Sequence, residues 1–278
     1  MSKSIAMRLK ENSTDHSTLS SFDYPIFDSH FHIIDSKFPL FENNGYLPKS
    51  FTHQDYLKKT SHYQLKGGAI VSGSFQKFDQ SYLVNALKHL GSQFVGVTQV
   101  PNSITNDEII QLNSQGIKAV RFNLKRGGSE DIKHLVSLAS RIYETAGWHI
   151  ELYVDSSHLD ELTRILVNLP SVSIDHLGLS AAGFKTLCGL VEKGVKVKAT
   201  GFSRVDFDVA KVIKRLHSIN PTALMFGTDL PSTRAPKAYS DDDLKLVVDA
   251  LDDQALKAVL YENAMHFYRI AESLTSRV

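Results

Sequence analysis

Short apolar segments alternate with amphipathic helical segments along most of the chain, and this alternation constrains the fold more than any other feature. The apolar segments are rich in β-branched and aromatic residues and are bounded by turn residues, which predicts strands. Predicted strands cover 26–33, 68–75, 93–100, 117–124, 148–154, 171–176, 195–201 and 223–229. Predicted helices cover 52–64, 79–90, 105–115, 131–146, 157–168, 181–193, 206–219 and 240–272.

Eight strand–helix units with short links predict an α/β fold with a parallel sheet and right-handed crossovers. Eight units in about 250 residues match a closed (β/α)8 TIM barrel. The alternative is an open doubly wound sheet, which requires a glycine-rich phosphate loop after the first strand. The glycine-free segment 32–37 stands there instead. The last helical region exceeds one barrel helix, and we expect an extra C-terminal helix that ends near Tyr268.

The chain has enough hydrophobic residues for one large core, and its charges are too balanced to attract a highly charged partner. Hydrophobic residues make up 42% of the chain, and the formal net charge is +1. Such a balance gives no signal for binding nucleic acid or a membrane surface. No apolar run approaches the roughly 20 residues of a membrane span. We therefore expect a small molecule as the partner, and the sequence gives no signal for the oligomeric state.

The N-terminal segment and the single cysteine bear on domain organisation and compartment. Residues 1–21 are polar and are expected to form a flexible tail, outside a single barrel domain at 22–278. Cys188 has no partner for an intrachain disulfide. A single unpaired cysteine is typical of proteins in a reducing compartment, and we expect a cytoplasmic protein.

The first predicted strand carries two histidines two residues apart. Side chains alternate in an extended chain, so Asp28, His30 and His32 are expected on one face. Two neighbouring imidazoles can share one metal ion or one substrate oxygen. The structural alternative is a pair of core histidines with backbone partners.

Polar side chains recur where the other predicted strands end. A barrel enzyme has its active site at the carboxyl ends of its strands, so these side chains should meet at one mouth. The residues concerned are Ser74, Arg121, Asn123, Arg126, Tyr153, Asp155, His176, Arg204 and Asp229, in addition to His30 and His32. This convergence favours a functional site over a purely structural barrel.

The residue types at this mouth favour water attack on an activated acyl carbon, and hence a hydrolase. His30, His32 and His176 can bind a metal or polarise a carbonyl oxygen. Asp229 can serve as a ligand, as a general base for water, or as both. The sequence contains neither a nucleophile elbow nor a catalytic cysteine candidate.

Three arginines at the same mouth indicate an anionic substrate. Guanidinium groups form bidentate hydrogen bonds with carboxylates or phosphates. Arg121, Arg126 and Arg204 are the candidates, although Arg126 also suits a solvated loop.

Three motifs together resemble the amidohydrolase superfamily, and in particular its branch of 2-pyrone-4,6-dicarboxylate lactonases. They are Asp-Ser-His-Phe-His at 28–32, Asp-His-Leu-Gly at 175–178 and Gly-Thr-Asp-Leu-Pro at 227–231. The resemblance extends over about residues 24–270. It implies that Asp229 deprotonates the attacking water. It also implies that His30, His32 and His176 polarise the scissile carbonyl, directly or through one divalent zinc or manganese ion held by these histidines and Asp229. The implied substrate-binding residues are Arg121, Arg126, Arg204, Tyr153 and Ser74.

Departures from the family pattern bear on the metal and the substrate. Strand 4 offers Arg121 and Asn123 where binuclear members have a bridging ligand, and Tyr153 stands where many mononuclear members have a histidine. A binuclear site is therefore not expected, and metal-free catalysis, as in some members of this branch, stays open. Leu179 replaces an arginine usual in the lactonase branch, and Ser232 replaces a histidine, so the dicarboxylate substrate is open as well.

Two other functions remain as alternatives. One is a metal-dependent decarboxylase of an aromatic acid, which the superfamily also contains. The other is a non-catalytic anion-binding barrel.

A separate expectation concerns the lower barrel. Glu151 is two residues from Tyr153 and therefore lies on the same face of its strand, where it is expected to pair with Lys196 or Lys198 as a structural feature.

Overall fold

A computed structural model describes residues 23–271, which form a nearly closed barrel of eight parallel strands in sequential order. The strands are β1 Pro25–Phe31, β2 Gln64–Val71, β3 Phe94–Thr98, β4 Ile117–Asn123, β5 His149–Tyr153, β6 Val172–Ile174, β7 Lys196–Ala199 and β8 Leu224–Phe226. Every strand pairs in parallel with the next. The predicted (β/α)8 barrel is confirmed, and the doubly wound alternative is excluded because its strand order is not sequential.

Helices follow the strands in the predicted places. They are α1 His53–Lys59, α2 Ser81–Leu90, α3 Asn106–Ser114, α4 Leu135–Ala146, α5 Leu159–Leu166, α6 Phe184–Glu192, α7 Val209–Ile219, α8 Asp241–Ala250, α9 Asp253–Lys257 and α10 Asn263–Tyr268. A π-helical turn, Ala258–Glu262, joins α9 to α10. Short 3-10 turns occupy Ser74–Gln76, Ile132–His134, Ser156–His158, His176–Gly178, Ala181–Gly183 and Phe202–Arg204.

Local sequence signals explain several helix ends. Thr52 and Thr105 cap α1 and α3 with capping boxes, in which Asp55 and Glu108 bond back to the cap backbone. Gly147 ends α4 in the left-handed region at φ 67°, which glycine adopts without a steric penalty. These signals restrict each helix to the space between two strands.

Two apolar layers hold the barrel together. The larger one lies between the strands and the surrounding helices and includes Phe31, Tyr56 and Trp148. The smaller one fills the lower barrel interior with side chains from several strands and from α10, including Phe27 and Tyr268. The expected extra C-terminal helix is therefore present, and it covers the end of the barrel away from the strands' carboxyl ends.

Hydrogen bonds beyond the end of β8 bring the first and last strands together. The amide of Asp229 donates to the carbonyl of His30 at 2.7 Å, and the amide of His32 donates to the carbonyl of Leu230 at 2.7 Å. The Asp28 carboxylate accepts from the amide and the hydroxyl of Thr228 at 2.9 and 2.6 Å. The same contacts that close the barrel thus place Asp229 beside the two histidines.

The expectation that Asp28 shares a face with His30 and His32 is wrong. The pairing of β1 with β2 shifts register between Asp28 and Phe31, so strict alternation fails there. Asp28 bonds to Tyr56 of α1 at 3.1 Å, whereas His30 and His32 contact each other inside the mouth. Asp28 therefore has a structural role.

A buried polar cluster lies below the mouth. Glu151 accepts from Lys198 and, at 2.5 Å, from the hydroxyl of Tyr268, while His149 Nε2 lies 3.2 Å from Glu151 Oε1. Lys196 instead donates to Thr222. The expected pairing with Glu151 is confirmed for Lys198 and wrong for Lys196.

Residues 1–21, the expected tail, lie outside the described residues. Within 23–271, none of the helices combines the length and apolarity needed to cross a bilayer.

Candidate active site

The mouth of the barrel brings together the four predicted catalytic residues. Asp229 Oδ1 lies 3.6 Å from His32 Nε2 and 3.9 Å from His30 Nε2. The rings of His30 and His32 are 5.1 Å apart, and His176 lies 4.8 Å from His30. All four residues are buried. Strands β1, β6 and β8 are distant in sequence, so only barrel closure creates this cluster.

Arg204 fixes one side of Asp229. Its Nε and Nη2 donate to Asp229 Oδ2 at 2.8 and 2.6 Å, and Nη2 also donates to the carbonyl of Thr233. Burial by itself would raise the pKa of Asp229, but the Arg204 charge and the neighbouring histidines hold it below its ordinary value. Asp229 is therefore a carboxylate, and its Oδ1 has no hydrogen-bond partner among residues 23–271.

Asp175 links His30 to Arg121. Its Oδ1 lies 3.4 Å from His30 Nδ1, and its Oδ2 accepts from Arg121 Nε and Nη2 at 3.1 and 2.8 Å. Arg121 Nη1 also donates to the carbonyl of Ser72. Burial lowers the pKa of His30 well below its ordinary value, so its imidazole is neutral near pH 7. With Nδ1 facing a carboxylate, Nε2 is left as the lone-pair nitrogen toward Asp229.

The hydrogen bond of His32 fixes its tautomer in the same way. Its Nδ1 lies 2.6 Å from the carbonyl of Val71, which can only accept, so Nδ1 carries the hydrogen. The other ring nitrogen of His32, Nε2, then lies 3.6 Å from Asp229 Oδ1. A water or a cation held beside this pair could contact both atoms.

This arrangement fits one metal ion. Nitrogen or oxygen atoms of His30, His32 and Asp229 lie within 4.8 Å of one another, and all three residues are buried. His30 Nε2 and Asp229 Oδ1 also lack hydrogen-bond partners among the described residues. His176 falls into a second such group, with His30 and Asp175. Three of the four expected ligands, His30, His32 and Asp229, thus form one group, and His176 is not part of it.

Two of the clustered residues have unusual backbone conformations. His176 and Asp229 have φ values of 52° and 58°, in the left-handed region that non-glycine residues rarely occupy. Burial lowers the pKa of His176 to about 3, so this histidine is also neutral near pH 7. Such strained positions concentrate at functional sites, where surrounding contacts hold them.

The remaining predicted site residues line the pocket above the cluster. The ring of Tyr153 lies 5.0 Å from that of His176, and the Arg121 guanidinium lies 5.1 Å from the Tyr153 ring. Ser74 donates its hydroxyl to Asn43 Oδ1 at 3.1 Å. Arg126 and Arg204 line the same pocket. Every predicted residue therefore lies at one mouth, although Arg121 and Arg204 are already paired with carboxylates.

Four residues at this site make contacts that the sequence did not reveal. Asp175 orients His30 and Arg121, and its only sequence signal was its place in the Asp-His motif. Asn43, Tyr46 and Arg234 meet at the rim. Asn43 and Tyr46 lie in the non-repetitive segment after β1, where no periodicity reports on contacts.

Comparisons with known proteins identify the relatives of this chain. The amidohydrolase family model, described as Amidohydrolase, matches residues 27–270. A 2-pyrone-4,6-dicarboxylate hydrolase from Comamonas testosteroni is 30% identical over 156 residues, which are 54% of this chain and 51% of the relative. The chain thus matches about half the length of that curated relative.

Solved structures share the fold. A probable 2-pyrone-4,6-dicarboxylic acid hydrolase from Acinetobacter baumannii, with citric acid bound, superposes with a TM-score of 0.77 at 20% identity, over 88% of this chain and 99% of that chain. A hydrolase of the same putative type from Pseudomonas putida gives a TM-score of 0.75 at 24% identity, over 88% of this chain and 97% of that chain. The family match covers most of the sequence and supports the expectation of a hydrolase. The chain belongs to the amidohydrolase family.

Proposed function

We propose that this protein hydrolyses a lactone or a related acyl bond in a small substrate that bears carboxylates. The observation that carries the proposal is the geometry of Asp229. Arg204 fixes its Oδ2, and its unpartnered Oδ1 faces the Nε2 atoms of His30 and His32. A water beside Oδ1 would have a base on one side and the imidazoles of His30, His32 and His176 around the substrate carbonyl.

In the proposed reaction Asp229 takes a proton from this water, and the water oxygen attacks the acyl carbon. The bond from that carbon to the ring oxygen breaks, and the proton passes to the leaving oxygen. His30, His32 and His176 lie around the position of the developing negative oxygen, and each would polarise it through a ring N–H turned toward it, which requires a proton on that nitrogen. Hydrolysis of a lactone near pH 7 then releases one new carboxylate and one proton per turnover.

Arg204 bears on the strength of the base. Its charge lowers the pKa of Asp229, which weakens the carboxylate as a proton acceptor. A substrate carboxylate that draws the guanidinium toward itself removes part of this effect and makes Asp229 more basic. Substrate binding and base activation are coupled in this proposal.

His30, His32 and Asp229 would hold a divalent cation if one binds. Such an ion would supply Lewis-acid polarisation of the acyl oxygen and acidify a bound water. The ion pair between Arg204 and Asp229 works against it, because the only carboxylate of this group is already neutralised by a guanidinium.

The relatives suggest a first substrate. The names of a curated relative and of two fold neighbours contain 2-pyrone-4,6-dicarboxylate or the corresponding acid. Leu179 and Ser232 depart from that branch of the family, so its substrate is a starting point for a panel of anionic lactones.

Product analysis tests the proposal. The protein is incubated with 2-pyrone-4,6-dicarboxylate, related lactones and aromatic acids, and ring opening, proton release and carbon dioxide are followed together. Ring opening with one proton released per turnover supports the hydrolase. Carbon dioxide release from an aromatic acid, without ring opening, would favour the decarboxylase. Tight anion binding with no turnover of any substrate would favour a binding barrel.

A further inference from the structure

Most positive charges at the mouth of the barrel are already neutralised by carboxylates. The pairs are Arg121 with Asp175, Arg204 with Asp229 and Lys125 with Asp155. Arg126 and Arg234 line the same two adjoining pockets and have no ion pair within residues 23–271. An anionic substrate would therefore meet the uncompensated positive charge of the mouth at these two residues.

Arg234 is held in place by uncharged partners. Its Nη1 donates to Asn43 Oδ1 at 3.1 Å, and its Nη2 donates to the Asn43 carbonyl. The guanidinium carbon lies 4.4 Å from the centre of the Tyr46 ring. A guanidinium has five N–H donors, so several remain for a ligand. Because the fork is already oriented, binding an anion costs little additional side-chain entropy.

Asn43 also ties the backbone of Arg126 to this rim. Asn43 Nδ2 donates to the Arg126 carbonyl at 3.2 Å, and the Arg126 amide donates to Asn123 Oδ1 at 2.9 Å. No hydrogen bond from the Arg126 side chain occurs within the described part of the chain. One asparagine thus connects the loops that carry both unpaired arginines.

The charge of this rim is positive even when its acidic residue is counted. Asp206 is exposed, lines the outer pocket and accepts from the Ala181 amide at 2.7 Å. One solvent-exposed carboxylate stands against two cations, of which Arg234 is partly buried. The outer pocket encloses about 350 Å³, room enough for a carboxylate-bearing part of a small substrate.

We propose that Arg234, oriented by Asn43 and Tyr46, forms a clamp with Arg126 for a substrate carboxylate remote from the reacting acyl carbon, and that Arg234 sets the preference for such substrates. This inference rests on the proposed function, since it names the second anionic group of the same substrate. The clamp lies at the rim, whereas the base and the histidines lie below it. A substrate with a distal carboxylate is therefore oriented with its acyl carbon toward Asp229.

Calorimetry with citrate tests the clamp without any turnover. Citrate is titrated into the full chain and into Arg234→Gln, Arg126→Gln and Arg164→Gln. Arg164 lies exposed on α5, away from the mouth, and its variant makes the same change in charge. We expect citrate to bind the unaltered protein and to bind each clamp variant roughly 10- to 100-fold more weakly. The Arg164 variant should bind as the unaltered protein does.

A second variant separates charge from geometry. Asn43→Asp keeps the size of the side chain but places a carboxylate against Arg234, so it should weaken citrate binding while the protein stays folded. Titration with inorganic phosphate tests whether the clamp prefers a phosphate or a carboxylate, because a guanidinium fork binds both. Phosphate bound more tightly than citrate would overturn the assignment to a carboxylate.

The outcomes separate this inference from the proposed function. Citrate binding that is absent, or unchanged in Arg234→Gln, overturns the clamp even if lactones are hydrolysed. If citrate binding depends on Arg234 but the protein opens no lactone, the clamp is supported and the proposed function is wrong. If lactones are hydrolysed, Arg234→Gln should raise KM for a dicarboxylate lactone and leave a lactone without the distal carboxylate unaffected.

Discussion

Arg204 binds Asp229 through a single carboxylate oxygen. Its Nε and Nη2 both donate to Oδ2, and Oδ1 is left toward His30 and His32. The guanidinium therefore orients the carboxylate without covering the atom that faces the reaction. It also lowers the pKa of Asp229 against the effect of burial, so the group is ionised throughout the neutral range.

Asp229→Asn tests the general base. The amide keeps the shape of the side chain but cannot accept a proton, so we expect kcat to fall by about 10²- to 10⁴-fold. Citrate binding should persist or tighten, because Arg204 loses its carboxylate partner. Asp249→Asn, an exposed change on α8, serves as the control in the same assays. Retained turnover in Asp229→Asn would remove Asp229 from the proposed role.

Titration with zinc or manganese tests which residues hold a metal. Any cation that binds should do so at one per chain, and His32→Asn should weaken its binding by at least the roughly 10- to 100-fold that lost supporting contacts cost metal sites. His176→Asn should leave the affinity nearly unchanged, because His176 lies outside the group formed by His30, His32 and Asp229. Equal losses in both variants would contradict this division.

Elemental analysis of protein purified without added metal then shows whether an ion polarises the acyl oxygen. Activity is measured before and after chelation. Activity that is lost when the metal is removed would assign the polarisation to the ion. Activity retained in metal-free protein assigns it to the imidazoles themselves.

The pair of Lys198 and Glu151 should be essential for stability. Both side chains are fully buried, and removal of one partner leaves an uncompensated charge. We expect Lys198→Met to lower the free energy of unfolding by about 3–5 kcal/mol. The double variant Glu151→Gln/Lys198→Met should lose less than the sum of its single changes, as measured by urea denaturation. Lys196→Met removes a lysine whose bonds within residues 23–271 go to Thr222, and it should cost less than about 1 kcal/mol.

Acidification should destabilise the protein in part through His149. Burial lowers the pKa of His149 in the folded protein, whereas an unfolded histidine titrates near about 6.5. The unfolded state then binds more protons below this pH, so the free energy of unfolding falls as the pH drops. Glu151 adds to the loss below about pH 4.3, because Lys198 holds its pKa down against the effect of burial.

Urea denaturation between about pH 7.5 and 5 measures this slope. His149→Gln should have a shallower slope than the unaltered protein, and His266→Gln, an exposed change on α10, should not. Equal slopes in all three proteins would show that His149 contributes nothing.

The eightfold strand–helix pattern is enough to predict the barrel and the residues at its mouth. Period-two apolar segments followed by capped helices fix local structure, and their eightfold order leaves essentially one parallel arrangement. Because the carboxyl ends of parallel strands meet at one face, the order of the elements is enough to bring His30, His32, His176 and Asp229 to the same mouth.

Tertiary structure decided the partners of those residues. The register shift in β1 turned Asp28 away from the histidines, and alternation alone does not reveal a bulge. The pairing of Arg121 with Asp175 and of Arg204 with Asp229 leaves Arg126 and Arg234 as the arginines at the mouth that have no ion pair within residues 23–271. The rim contacts of Asn43 and Tyr46 come from a non-repetitive loop. Residue types and spacing fix which groups reach the mouth, whereas the contacts among them depend on loops and packing that no short-range pattern encodes.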